Sequence, residues 1–309
     1  MTFVQAPRPA LPARADSALF GILLMVGFCI TAPLIDVAAK LAAASLPVGQ
    51  ISAGRFVVQW LLMLPVCWAL GHNLRFPTAL LGPLTLRALW LLVSTYCFIA
   101  AVRVMPIADA LAIVFVEPFI LLLLGKLIFG EDVGPRRVAA SVVGFLGALL
   151  VIRPSFAAFG AVALFPLGTA VFFAFYMLST RSLSRRLHPI PMQLHTSSVA
   201  AVLCLPFLLA GAQWDIPDLQ LVMPQGWTWL WLGAVGLASA VSHLLMSYAL
   251  RITPAATLAP LHYLEIVTAV VLGYLVFSDF PGVLSFAGMG IIVLSGLYIV
   301  HRERIAGRI

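Results

Sequence analysis

Long apolar runs, separated by short clusters of proline, glycine and charged residues, dominate the pattern of this chain. The run 118–124 is apolar throughout, and the run 139–152 is interrupted only by Ser141. A membrane-spanning β-strand would instead alternate apolar and polar residues over about ten positions, so the pattern favours helices. A helix that crosses the hydrocarbon core needs about 20 predominantly apolar residues. The sequence therefore predicts ten spans, over residues 18–39, 48–70, 80–101, 107–128, 137–152, 160–180, 192–211, 227–250, 255–277 and 282–300.

Composition supports an all-α integral membrane protein. The chain has 309 residues, of which 62% are hydrophobic and 9% charged, whereas soluble proteins average about 25% charged residues. These values exclude a soluble globular enzyme and a disordered chain, and the charges are too few to form a basic face for nucleic acid despite the net charge of +7. The lipid bilayer is thus the solvent. The four cysteines lie within apolar runs without metal-ligand spacing, so we predict no metal and no cofactor.

The distribution of basic residues predicts the orientation of the ten spans. If the N-terminus is cytoplasmic, thirteen basic residues fall on the cytoplasmic side and three on the other side, as the positive-inside rule requires. The thirteen are Arg8, Arg14, Arg75, Arg87, Arg136, Arg137, Arg181, Arg185, Arg186, Arg251, Arg302, Arg304 and Arg308, and the three are Lys40, Arg103 and Arg153. Both termini, residues 1–17 and 302–309, are therefore expected to be cytoplasmic tails of a plasma (inner) membrane protein.

An internal repeat relates the two halves of the chain at an offset of 148 residues. Nine residues of the first half recur in the second half at this offset: Ala101, Arg103, Pro106, Ala108, Glu117, Leu124, Gly125, Leu127 and Phe129. The chain thus divides into two five-helix repeats, residues 18–153 and 154–301. An odd number of spans per repeat forces the second copy to enter from the opposite side, which gives the inverted repeats that recur in secondary transporters.

Local motifs add a family resemblance over nearly the whole chain. They are Arg55-Phe56 in the second span, the turn 103–106 before the fourth span, and Glu117-Pro118 followed by Leu124-Gly125 and 129–131. With these motifs and ten spans in two halves, the chain resembles the EamA-type transporters of the drug/metabolite transporter superfamily. The resemblance implies transport of a small metabolite such as an amino acid, a vitamin or a nucleotide-derived compound. Two positions depart from the family pattern, since Asp279 stands where Glu is usual and Ile266 where Pro would follow Glu265.

Charged residues inside the spans are the candidate site residues, because a charge at the bilayer centre costs at least about 2.5 kcal/mol and normally faces a cavity or a partner. Glu117 and Glu265 are repeat mates and are the strongest candidates for binding a substrate or carrying a proton. His262 precedes Glu265 by three residues and shares its helix face. Arg55 could bind a substrate carboxylate or pair with Asp36 or Asp109. Asp36 itself could pair with Lys40 four residues later, or serve in the site.

Aromatic residues inside the spans are candidates for lining the substrate site. Phe115 and Tyr263 are repeat mates beside the paired acids, and Tyr96 and Tyr248 also lie within spans. Their faces would suit a flat or cationic substrate, although most aromatic residues in membrane spans serve packing or lie at the interface, which is the alternative interpretation for each of them.

A secondary transporter that works by alternating access is the leading interpretation, with a proton as one candidate coupling ion. Gly125-Lys126 is followed by Leu127, so the sequence offers no phosphate-binding loop for ATP. The alternatives are an uncoupled facilitator or channel and, less well supported, an intramembrane enzyme or a scaffold. No catalytic residues are predicted, because neither a glycine-flanked serine elbow nor an HExxH motif is present. The expected partners are the small-molecule substrate and the lipid bilayer. The chain could act as a monomer or as a homodimer.

Overall fold

The structure, a computed structural model, describes residues 14–104, 107–131, 133–152, 160–278 and 282–305. Helices dominate these residues. In chain order they are α1 (Arg14–Thr31), α2 (Pro33–Ala43), α3 (Val48–Ala69), α4 (Leu81–Val104), α5 (Ile107–Val114), α6 (Glu117–Phe129), α7 (Pro135–Ile152), α8 (Leu164–Ser184), α9 (Pro189–Gln213), α10 (Thr228–Ile252), α11 (Ala255–Leu258), α12 (Leu264–Phe277) and α13 (Val283–Ile305). Short 3₁₀ turns cover Thr78–Leu80, Gly160–Ala163, Pro217–Leu219 and Ala259–Tyr263.

The predicted all-α membrane architecture is confirmed. Within the described ranges, eight helical segments are long and apolar enough to cross a membrane. The other two predicted spans correspond to the pair α5–α6, which is interrupted, and to α7, which carries two arginines in its first turn. Three predicted spans are each built from more than one helix, namely α1–α2, α5–α6 and α11–α12.

Prolines explain these interruptions, because proline has no N–H to donate to the preceding helical turn. Pro33 begins α2 directly after the end of α1, and Pro118 occupies the first turn of α6. Pro260 lies in the 3₁₀ turn that joins α11 to α12. Helix ends that would normally lie at the membrane surface are thereby brought into the middle of a span, where their backbone groups can face a cavity.

The alternation of the spans defines two faces of the protein. We call the side on which α1 begins the N-terminal face and the opposite side the distal face. Connections 44–47 and 214–227 meet at the distal face, where the Gln50 side chain accepts a hydrogen bond from the Val222 N–H at 2.8 Å. Connections 70–77 and 185–188 meet at the N-terminal face, where the rings of His72 and His188 lie 4.4 Å apart.

Glycines allow helices from the two halves to approach closely. A Cβ atom at Gly288 of α13 would lie 2.5 Å from the carbonyl oxygen of Gly147 in α7, so the two backbones pack directly together. Gly144, one turn before Gly147, contacts the ring of Tyr263. The C-terminal ends of α6 and α12 also match, because the repeat mates Gly130 and Ser278 both adopt the left-handed conformation at φ 62° and 61°.

Three arginines that the sequence assigned to the cytoplasmic loops and span ends are instead buried. The exposed fractions of Arg87, Arg137 and Arg181 are 0%, 4% and 7%. Counting basic residues along the chain predicts their side of the membrane but not their depth, which depends on hydrogen bonds to neighbouring helices. The sequence analysis also named Arg103, Asp109, Arg153 and Asp279. These four residues lie outside the side chains that the structure describes.

Candidate functional site

A central cavity of about 690 Å³ lies between the two halves and reaches the distal face at residues 43–48 and 217–218. Most of its wall is apolar, Lys40 and Asp218 lie near the mouth, and its deep end collects further charged and polar groups. The chemically distinctive lining residues are Asp36, Arg55, Thr95, Glu117, His243, His262 and Glu265. A volume of this size lies within the range typical of small-molecule sites.

His262 joins the two repeat-related acids at the deep end of the cavity. Its Nδ1 lies 2.7 Å from Oε2 of Glu117, and its Nε2 lies 3.1 Å from Oε2 of Glu265. Glu117 is 1% exposed and His262 is 5% exposed, so the three groups form a shielded triad. One partner comes from the first half of the chain and two from the second. His262 contacts Glu265 three residues later, although His262 lies in the 3₁₀ turn and Glu265 in α12.

The breaks in the spans position both acids. Glu117 is the first residue of α6, and Glu265 is the second residue of α12. A helix N-terminus carries exposed N–H groups and a partial positive charge, which favours a carboxylate there. Because Pro118 and Pro260 shift these helix starts into the spans, both carboxylates lie in the protein interior rather than at a membrane surface. One oxygen of Glu117, Oε1, is buried without a hydrogen-bond partner.

Arg55 lines the cavity and forms no ion pair with Asp36, while the Asp109 side chain lies outside those that the structure describes. Its Nη1 donates to Oγ1 of Thr95 at 3.1 Å, and its Nη2 donates to Nε2 of His243 at 2.7 Å. Its Nε is buried without a partner. Its hydrogen-bond partners are neutral acceptors, and the Asp36 carboxylate in the same cavity lining partly offsets its positive charge.

The possible ion pair between Asp36 and Lys40 is absent, and this expectation is corrected. Lys40 Nζ instead lies 3.9 Å from the ring centroid of Phe277, in a cation–π contact. Asp36 lines the cavity and, among the described residues, forms no ion pair and no hydrogen bond. Turning Lys40 toward α12 leaves the Asp36 carboxylate available to the cavity.

The N-terminal face is closed by a buried ion pair, which we call the latch. Arg181 Nε lies 2.6 Å from Oε1 of Glu131, with side chains only 9% and 6% exposed. Arg181 Nη1 also donates to the carbonyl oxygens of Leu250 and Thr253 at 3.2 and 2.6 Å, at the end of α10. Glu131 Oε2 accepts the N–H of Ala256 at 2.9 Å. The latch therefore ties the ends of α6 and α8 to the α10–α11 junction.

The aromatic candidates divide between the cavity and its surroundings. Phe115 lines the cavity, and Tyr263 packs behind it with ring centroids 5.8 Å apart and its hydroxyl donating to the Phe115 carbonyl at 3.1 Å. Tyr96 is 45% exposed and lies away from the cavity. Tyr248 contacts His188 near the N-terminal face and does not line the cavity either. Two aromatic residues not singled out from the sequence, Phe28 and Phe173, do line it and contact the His262 ring.

A second polar cluster lies below the cavity and was missed from the sequence. Arg87 donates from Nε to Thr180 at 2.8 Å, from Nη1 to Thr196, and from Nη2 to Tyr176 at 2.8 Å and Gln193 at 3.1 Å. From the sequence, Arg87 was counted among the basic residues of the loops and span ends on the cytoplasmic side. The only available signal was the number of serine, threonine, glutamine and tyrosine residues in otherwise apolar spans, which are the acceptors a buried guanidinium needs.

Comparison with known proteins gives a family match over most of the chain. The model of the EamA-like transporter family matches residues 19–153 and 160–301. A riboflavin transporter of Vibrio cholerae is 27% identical over 84% of this chain and 84% of its own length. An S-adenosylmethionine uptake transporter of Rickettsia felis is 25% identical over 87% of this chain and 88% of its own. The pseudopaline exporter CntI of Pseudomonas aeruginosa is 29% identical over 92% of this chain and 97% of its own.

A solved crystal structure shares the fold. It superposes with a TM-score of 0.74 over 94% of this chain and 100% of that chain, at 18% sequence identity. At that identity the likeness concerns the fold alone. The named relatives include both uptake transporters and an exporter, so they agree on small molecules as cargo but differ in direction.

Proposed function

Because the chain belongs to the EamA-like transporter family, we propose that it is a secondary transporter that moves a small metabolite across the membrane by alternating access. Family membership makes the chain a multi-pass membrane transporter and not an enzyme. The proposal adds the mechanism: the central cavity holds the substrate, and the two five-helix halves, residues 18–153 and 154–301, rock about it. In the present state the cavity reaches the distal face and the latch closes the N-terminal face.

The observation that carries the proposal is the triad at the deep end of the cavity. Two hydrogen bonds join three titratable groups, so two protons must be shared among Glu117, His262 and Glu265. With one proton fewer, one of the two contacts would bring lone pairs together and would open. Proton occupancy is therefore linked to the contact between the halves, which supports a proton as the coupling ion.

The remaining cavity groups indicate the cargo. Arg55 and the acids provide both signs of charge, and Phe28, Phe115 and Phe173 provide aromatic faces. A small molecule with a flat or aromatic part and at least one charged or strongly polar group fits this lining. Amino acids, vitamins and nucleotide-derived compounds all belong to this class. With the N-terminus in the cytoplasm, the distal face is extracellular and the present state is open to the outside.

Uptake into proteoliposomes tests the proposal, with riboflavin, S-adenosylmethionine and L-phenylalanine as probes. We expect saturable uptake of at least one probe, accelerated by an imposed pH gradient. Glu265→Gln keeps the size of the side chain but cannot exchange a proton, so we expect it to remove the response to the gradient. The matched control is Tyr96→Phe, a change at an exposed position away from the cavity.

Three outcomes would contradict parts of the proposal. Fast uptake that does not saturate would favour a channel, and saturable uptake insensitive to the gradient would favour an uncoupled facilitator. Wild-type coupling in Glu265→Gln and in Glu117→Gln would remove the triad from the mechanism. Thermal unfolding of both variants in detergent checks that lost transport does not reflect lost folding.

A further inference from the structure

Arg87 is a fully buried cation whose hydrogen-bond partners are all neutral. Its three nitrogens donate to Thr180, Thr196, Tyr176 and Gln193, with a longer contact of 3.4 Å to Ser247. These partners come from α8, α9 and α10, so the guanidinium lies at the junction of four helices. In the part of the chain that the structure describes, no carboxylate pairs with it.

Neutral acceptors satisfy the hydrogen bonds of Arg87 but leave its charge uncompensated. Arginine stays protonated in proteins. An ion taken out of water costs several kcal/mol, and buried charges are normally paired for that reason. Inside membrane proteins, unpaired ionisable residues mark substrate and ion pathways. Neutral polar side chains could join the four helices equally well. The positive charge of Arg87 therefore indicates an anionic partner.

Gln193 provides the second, independent observation. Its Oε1 accepts a hydrogen bond from Arg87 Nη2 at 3.1 Å, while its Nε2 is buried without any partner. Gln193 is 0% exposed, so this unused N–H group is cut off from water. An excess of donors over acceptors, one of them cationic, is the arrangement that binds a carboxylate.

The cluster is connected to the cavity by a continuous chain of hydrogen bonds. Arg55 donates to His243 Nε2 at 2.7 Å, so the neutral ring carries its proton on Nδ1 and donates it to the Tyr176 oxygen, also at 2.7 Å. The same oxygen accepts from Arg87 Nη2 at 2.8 Å. His243 forms part of the cavity lining. Arg87 lies beyond it, toward the N-terminal face, since α4 and α9 both begin at that face. Two arginines whose hydrogen-bond partners are neutral thus follow one another along the path that transport would take.

We propose that Arg87 and Gln193 form a second anion-binding position, which receives the carboxylate of the substrate from Arg55 when the N-terminal face opens. This inference rests on the proposed transport function and narrows the substrate class to molecules that carry a carboxylate. While the N-terminal face is closed, this anion-binding position is covered by the helices that form it. The Tyr176 hydroxyl then occupies the place between the two arginines that the anion would take.

Chemical modification of arginine tests the inference without knowledge of the natural substrate. Phenylglyoxal reacts with accessible guanidinium groups, and mass spectrometry quantifies the product at each arginine. We expect Arg87 to be modified about tenfold faster in Arg181→Gln, in which the latch is broken, than in the wild type. Benzoate should protect Arg87, whereas the neutral, equally sized benzamide should not. Exposed Arg251 serves as the internal control that is modified equally in all samples.

Gln193→Met distinguishes an anion-binding site at Arg87 from mere accessibility of Arg87 to the reagent. It removes the amide but keeps the size of the side chain, so we expect modification of Arg87 to persist and protection by benzoate to be lost. Equal protection by benzoate and benzamide would overturn the inference, and so would failure to modify Arg87 in both Arg181→Gln and Glu131→Gln. The proposed transport function is judged separately, by saturable uptake of S-adenosylmethionine or L-phenylalanine, which both carry a carboxylate. Uptake of riboflavin, which carries none, would support transport but would count against this inference.

Discussion

The latch between Arg181 and Glu131 makes a quantitative prediction, because the structure gives every contact that each substitution removes. Arg181→Gln deletes the ion pair, the two bonds to the carbonyl oxygens of Leu250 and Thr253, and the cation–π contact with the Phe129 ring. Removing one partner of a buried ion pair costs about 3–5 kcal/mol. We expect about 3 kcal/mol, at the lower end, because Glu131 keeps the N–H group of Ala256 as a partner.

Glu131→Gln is the complementary change. Its carbonyl oxygen can still accept from the backbone of α11, and Arg181 keeps its bonds to the carbonyl oxygens at the end of α10. The loss is therefore one charge-assisted contact, for which we expect about 2 kcal/mol. The double variant has no pair left to break, so we expect it to cost at least about 1 kcal/mol less than the sum of the two single changes.

Unfolding of the purified protein by titration from mild detergent into SDS gives the three free energies. Arg251→Gln, at an exposed arginine near the same end of α10, serves as control and should change stability by no more than about 0.5 kcal/mol. Additivity of the two latch variants within about 0.5 kcal/mol would refute the reasoning, because it would mean that the residues do not act through each other.

Two further predictions follow from local packing and charge. A methyl group at Gly236 would collide with Val58 on α3, so Gly236→Ala should cost about 1–3 kcal/mol of unfolding free energy. Gly233→Ala on the same helix meets no atom within 4 Å and should be neutral or stabilising by up to about 1 kcal/mol, as thermal unfolding would register. Burial and the neighbouring His72 lower the pKa of His188, in the α8–α9 connection, to about 4. Since the unfolded chain then binds the proton more tightly, the melting temperature should fall as the pH drops from about 6.5 toward 4, and His188→Gln should reduce that fall; an unchanged pH profile in the variant would contradict it.

The sequence predicted the membrane architecture well because its physical requirement is local. Each span needs about 20 apolar residues in a row, and such runs are visible without any tertiary information. The repeat also identified Glu117 and Glu265 as a pair, since inversion brings mates near mid-span together. Neither feature depends on how individual side chains pack.

Contacts between helices set the limit of sequence reasoning. The approach of His262 to Glu265 follows from their spacing, but its bond to Glu117 depends on how the two halves dock. Arg87 was counted with the loops and span ends because it lies near the start of a span, and only the acceptors from three other helices explain its burial. Lys40 likewise forms a cation–π contact with Phe277, which is distant in sequence, and no ion pair with Asp36, which is four residues away.

Alternating access requires that opening of one face is tied to closing of the other. Distance measurement by double electron–electron resonance tests it most directly, with one spin-label pair at Ala44 and Pro217 across the distal mouth and another at Lys126 and Arg185 across the N-terminal face. Breaking the latch with Arg181→Gln should lengthen the second distance and shorten the first in the same molecules. A longer distance at the N-terminal face with an unchanged distal mouth would contradict alternating access.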